Sequence, residues 1–260
     1  MSKHTTRLGT VALLCTVSVA ALSASPSAAG TAEASTASST STSVPAQNPS
    51  DSSTPPSLAQ VQAKAAAEIT KRVDSLDAAV SKVNAHSALG ADAATLDAYL
   101  QQDITPLQNL GDTIAADTTV GQARADFRQI FTDYRVYVLV LPAARQAARA
   151  DAITVTALPK LTSVSVRAQQ FVDAQNQATL EPMIDSLNDD VSGAQSASSG
   201  VAATVLGYTP SQWNADHSLL SSTKASLQTA VADVKSARSE AQQIRQYLRG
   251  APSTSGGQGG

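Results

Sequence analysis

Cysteine is nearly absent: the only one in 260 residues, Cys15, lies inside an N-terminal stretch that reads as a leader. Lys3, His4 and Arg7 give a cationic start, Leu8 to Leu22 an apolar run and Ser27-Ala28-Ala29 a small-residue cleavage site, so residues 1–29 have the layout of a secretory signal peptide. The expected mature chain then has no thiol, which excludes disulfides, cysteine-ligated metals and thiol catalysis. The apolar run is shorter than the roughly 20 residues of a spanning helix and is interrupted by Gly9, Thr10, Thr16 and Ser18, so retention as a membrane anchor is disfavoured. Leu14 stands before Cys15, where a lipoprotein signal needs a small residue.

Aromatic residues are also scarce. They make up 3% of the chain against 42% for all hydrophobic types, so the apolar content is mostly alanine, valine and leucine, side chains that let helices approach closely. Charge of one sign is never concentrated. Of the 18 lysines and arginines two lie in the leader, leaving 16 against 21 acidic residues, about −5 in all. Without a basic patch, neither nucleic acid nor an anionic lipid surface is favoured as a partner.

The groups that catalysis needs are missing too. After the leader only His86 and His217 remain, with no second histidine at a metal-ligand spacing, so neither a metal nor another cofactor is expected. Asp216-His217 and Asp189-Asp190 are sequence neighbours, which diverge on a helix surface, and both pairs are expected to face solvent. No Gly-x-Ser-x-Gly turn and no glycine-rich phosphate loop occurs; the glycine cluster is the C-terminal tail. A non-enzymatic protein is the expectation.

What remains is helical periodicity between two tails. Residues 30–57 are mostly Ser, Thr, Ala and Pro and read as a disordered linker; residues 251–260 read as a disordered tail. Within residues 58–250, Ile69, Val73, Leu76, Val80 and Val83 keep four-three spacing, predicting a first helix from about Leu58 to His86. A second is predicted from about Asp92 to Ala115, bent by Pro106. Leu180, Ile184, Leu187, Val191, Ala194, Ser198, Val201 and Val205 mark a fourth, with Ser198 the one polar residue on its stripe. Leu220, Leu227, Val234, Ala241 and Leu248 recur every seventh residue, with Thr223, Ala230, Ala237 and Ile244 three places on. That period predicts left-handed coiled-coil packing in a helix running from Pro210 to Leu248, and hence a rod. The expected fold is all-α, an elongated antiparallel helical bundle of about five helices.

The start of the last helix is legible in detail. Thr209 and Gln212 have the spacing of a capping box, Pro210 suits the first helical position, and Tyr208 and Trp213 are placed to form a hydrophobic staple.

One segment does not fit a plain bundle. Arg135 to Pro142 is the most apolar run after the leader, and its β-branched content favours extended structure. Phe127, Phe131, Tyr134, Val138 and Leu141 nevertheless keep helical spacing, so periodicity leaves the helix-or-strand question open. A third helix from about Thr119 through Leu141, kinked at Pro142 and resuming through Phe171 with an irregularity at Pro159, is the preferred reading. The run reads either as buried core or as a partner-docking patch, with Arg135, Tyr137, Val138 and Val140 as candidate contacts.

Phe127 to Tyr137 followed by Leu141-Pro142, with the Trp213 turn and the heptad helix, resembles a group of uncharacterised secreted helical proteins of actinobacteria. The resemblance covers about Leu58 to Gly250 and implies an all-helical fold and export. It carries no activity, ligand or site residue.

These readings point to an exported structural or interaction protein, secreted and possibly held at the cell envelope, whose long helix faces meet an unknown protein, an envelope component or a second copy. One alternative is a membrane-active protein resembling helical pore-forming toxins. Against it, the six residues Val136 to Leu141 fall short of the roughly 9 to 11 of a membrane strand. A small-ligand carrier, using backbone groups freed near Pro142 and Pro159, is the other.

Overall fold

The computed structural model describes residues 55–86, 89 and 92–250. The expected signal peptide at 1–29, the linker up to residue 54 and the tail at 251–260 lie outside the described residues. The described residues are all-α, with no strand among them.

Helix α1, Leu58–Ala85, begins at a capping box: Ser57 accepts from the Gln60 amide and the Gln60 side chain accepts from Ser57 N–H. Its buried residues include Val61, Ala65, Ile69, Leu76 and Val83; of the predicted stripe, Ile69, Leu76 and Val83 are buried, while Val73 and Val80 are half-buried. The second predicted helix is two, α2 (Asp92–Gln101) and α3 (Ile104–Ala116). Pro106 does not bend a continuous helix; the chain breaks one turn upstream of it. In an α-helix Pro106 would lack a bond to the Gln102 carbonyl and its ring would press on it, and the break falls at Gln102 and Asp103. Pro106 thus becomes a first-turn residue of α3.

α4, Val120–Thr132, starts at Thr119, whose side chain accepts from the Gln122 amide. The predicted continuation to Leu141 fails at residues 133–135. There Arg135 takes the left-handed conformation, φ 48° and ψ 33°, which ends α4. The chain then re-enters a helix at Val136 and stays helical to Gln175. The Arg135 to Pro142 run is therefore helical.

That 40-residue stretch, about 60 Å of helix axis, contains two π turns, Val136–Val140 and Ala152–Ala157, ahead of α5 (Leu141–Asp151) and α6 (Leu158–Gln175). Each π turn directly precedes a Leu-Pro pair. Leu141 N–H bonds the Val136 carbonyl and Leu158 N–H the Ile153 carbonyl, five residues back. In α register the Pro142 and Pro159 rings would meet the carbonyls of Val138 and Val155; the wider turn moves those carbonyls aside without a break. The kink expected at Pro142 and the irregularity at Pro159 are these π turns.

After a 3₁₀ turn at Ala178–Leu180, α7 (Glu181–Ser198) and α8 (Val201–Leu206) replace the fourth predicted helix, separated by Gly200 at φ 71°. Ser198, buried on the apolar stripe, donates to the Ala194 carbonyl at 2.6 Å and so needs no distant partner. The fifth predicted helix is also two, α9 (Pro210–Ala215) and α10 (Ser221–Gly250). The Thr209–Gln212 capping box forms as expected. The break follows because the Asp216 carboxylate accepts from both the amide and the hydroxyl of Ser218, closing a local turn in place of the helix.

Helix direction can be read from side-chain contacts. Asn84 pairs with Asp97, Gly111 abuts Ile69 and Gln62 donates to the Ile114 carbonyl, so α2 and α3 run antiparallel to α1. Gln177 pairs with Tyr247, Ser186 with Glu240 and Gly193 with Asp233, so α10 runs antiparallel to α7. All the predicted heptad positions of α10 from Leu220 to Ile244 are buried, and α7 is its largest partner. These pairings make a bundle.

Candidate functional site

The three largest apolar exposures between α4 and α5 lie within eight residues: Phe131 at 38%, Tyr137 at 45% and Val138 at 44%. They flank the left-handed turn at Arg135, and that turn is held from outside. Asn214, on α9, accepts from Arg135 Nε at 2.6 Å and donates to the Thr132 carbonyl at 3.0 Å.

From the other side the strip rests on α1. The Arg72 guanidinium lies 4.5 Å from the Phe131 ring centroid and 5.1 Å from that of Tyr137. Arg72 is only 5% exposed, and its charge is met by Glu68 one turn earlier at 2.5 Å. The Arg72 hydrogen bond and charge hold the Glu68 carboxyl below its usual range. Tyr137 donates its hydroxyl to the Lys71 carbonyl at 3.0 Å, with Ser75 Oγ at 3.2 Å. Farther along, Phe127 packs edge-on to Phe131 at 5.3 Å and Lys64 stands over Phe127. The result is an ordered row of cations and rings whose apolar edge faces solvent.

Of the four contacts expected from sequence, Tyr137 and Val138 lie on this surface, and Arg135 is half-buried as the hinge beneath it. Val140 is not with them: at 2% exposure it belongs to the core, turned inward by the π turn. Arg72, Glu68 and Phe131 were missing from the expected set. The Glu68/Arg72 and Phe127/Phe131 pairs at i, i+4 are the signals that could have marked them.

Val155 repeats the position of Val138. Each valine stands four residues before a proline, and each is nearly half exposed, 44% and 47%. Beside the second π turn, α6 and α7 form an open groove of about 830 Å³. Its surface is more apolar than polar, with Leu158, Pro159, Val166 and Val191 set among hydroxyls and amides such as Thr162, Gln170 and Asn188, and Arg167 is its one charged lining residue.

Titratable groups with shifted behaviour occur in separate places: Asp103 acts on Tyr99 and Tyr134, Asp92 on Asp151, and Asp190 stands on α7. Burial pushes the Asp103 and Asp151 carboxyls up to about 6, with Asp92 adding to the rise at Asp151. Burial and the Asp103 charge raise the Tyr99 hydroxyl to about 12, and that buried hydroxyl has no hydrogen-bond partner. Among the described residues no group of three histidine, cysteine or acidic side chains is placed to hold a metal. Asp216 and His217 are exposed; Asp189 is exposed but Asp190 is half-buried, a departure from the expected solvent-facing pair.

No protein-family model, curated protein or solved structure matches this chain.

Proposed function

We propose that this chain is an exported, non-enzymatic interaction protein of the cell envelope or extracellular space, docking a protein or envelope component through the Phe131–Tyr137–Val138 strip. The observation that carries the reading is a solvent-facing apolar edge whose rings are fixed by a buried, charge-compensated arginine. Side chains already ordered before contact lose little freedom on binding, which favours docking. Export rests on the leader-like residues 1–29. The likeness to secreted helical proteins of actinobacteria fits the same reading.

The test is co-sedimentation of the purified protein with isolated wall and membrane fractions across a salt series. Saturable retention by the natural protein, lost in a Tyr137→Ser/Val138→Ser double variant of unchanged helix content, is the expected result. No retention in either fraction would sink the envelope assignment.

A small-ligand carrier is the second reading, favoured by the groove beside Pro159. Chemical-shift changes confined to Thr162, Gln170 and Asn188 on titration with envelope extracts would support it. The membrane-active reading has less behind it: no helix among the described residues is long and apolar enough to cross a membrane.

A further inference from the structure

The seam between α7 and α10 holds an acidic contact that the docking strip does not use. Ser186 donates its hydroxyl to Glu240 Oε1 at 2.5 Å. The other oxygen, Glu240 Oε2, is buried and has no donor. A buried acceptor without a donor is costly, and one without an evident partner calls for an explanation. The candidate is another acid: Asp190, half-buried on α7, lies one turn from Ser186, which holds Glu240, and one turn from Gly193, which abuts Asp233. Two carboxylates cannot bond each other; a carboxyl and a carboxylate can, through one proton.

We propose that Asp190 and Glu240 hold a single proton between them across the α7–α10 seam, donated to the otherwise donorless Glu240 Oε2, and that this contact tightens the helix pair as the pH falls. The surroundings make the contact one-sided. Glu240 and Asp233 face Asp190 from α10, and Asp189 adds its charge from α7 itself. Of the elements packed around the pair, α6 brings Arg167, which lines the groove with Asn188 and Val191; among the described residues no cation lowers the Asp190 carboxyl. Gly193 lets Asp233 crowd in as well: a Cβ there would stand 2.9 Å from Asp233 Oδ2. Burial, then these like charges, hold the Asp190 carboxyl above its usual range.

The sign follows. A carboxyl raised in the folded state binds a proton that the unfolded chain has released, so its contribution is complete at acid pH and is lost as the pH rises through the folded value. Ionisation then sets the Asp190 charge against the acidic side chains of Glu240 and Asp233. The most extensive helix pair of the bundle is thus locked in acid and loosened towards neutral and alkaline pH.

Hydrogen exchange of the purified protein at pH 4 and pH 8, corrected for intrinsic rates, tests this. Amides of α7 and α10 should gain more protection at the lower pH than those of α1 and α3, over and above the bundle's general response to acid. That excess should vanish in Glu240→Gln, whose amide supplies the missing donor at any pH, and in Asp190→Asn for the same reason. Asp151→Asn, which flattens the general response, should leave the excess in place. No excess for α7 and α10 in the natural protein, or an undiminished excess in both seam variants, would overturn the proposal. Carboxyl carbon shifts of Asp190 in the natural protein give a readout that needs no variant: a titration at the ordinary aspartate position would also overturn it.

Discussion

Arg135 and Asn214 are 79 residues apart in sequence and share a 2.6 Å hydrogen bond that fixes the only left-handed turn between α4 and the long helical run that follows. Asn214 also donates its side-chain amide to the Thr132 carbonyl left open at the end of α4. Asn214→Ala should therefore cost about 1 kcal/mol. Hydrogen exchange should localise the loss to residues 132–135, and a loss spread evenly over the bundle would count against this role.

Arg72 gives the sharpest stability prediction. Its removal strips the cation from two rings and leaves Glu68 with only the weak 3.5 Å contact to Lys71. Arg72→Ala should cost about 2–3 kcal/mol in urea unfolding. Glu68→Gln should lower that cost, because the carboxylate no longer has to be left unpaired; an additive double variant would refute the coupling.

Thr209→Ala removes the hydroxyl that caps the Gln212 amide and should cost about 1 kcal/mol. Thermal melts check it, and an unchanged midpoint would sink the cap's importance.

Acid should stabilise this protein. Asp103 and Asp151 sit at about 6, above the range of an exposed aspartate, so each binds a proton in the folded chain that the unfolded chain has lost. Their contribution is full below the ordinary aspartate value and disappears as the pH rises through about 6. The melting temperature should rise from pH 7.5 to pH 5. In Asp151→Asn the slope should flatten and stability at pH 7.5 should increase; an unaltered slope would remove Asp151 from the explanation.

The long-period parts of this fold were legible and the short-range breaks were not. Heptads in α10 name its buried residues from Thr223 to Ile244, because spacing sets which helix face turns inward, while the last predicted position, Leu248, is only half-buried. Thr209, Pro210 and Gln212 were legible because capping needs particular atoms at fixed offsets. The break at 133–135 carries no glycine or proline, and Arg135 enters the left-handed region under the hold of Asn214, a contact invisible in local sequence. Likewise Asp190 was read against its neighbour Asp189, whereas its acid partner lies fifty residues on, across a helix seam. Of the docking strip, Tyr137 and Val138 followed from their apolar run; Val140 was misplaced because a π turn shifts helical phase by a residue, which no 3.6-residue count anticipates.

The paired π turns also bear on how this chain can change in length. Measured against a plain α-helix of equal rise, the run from Val136 to Gln175 holds two supernumerary residues, one ahead of each proline. Deleting a residue from Val136–Val140 would restore α register and drive the Pro142 ring onto a carbonyl. The same deletion made with Pro142→Ala would meet no such obstacle. A shorter descendant of this helix must give up residue and proline together.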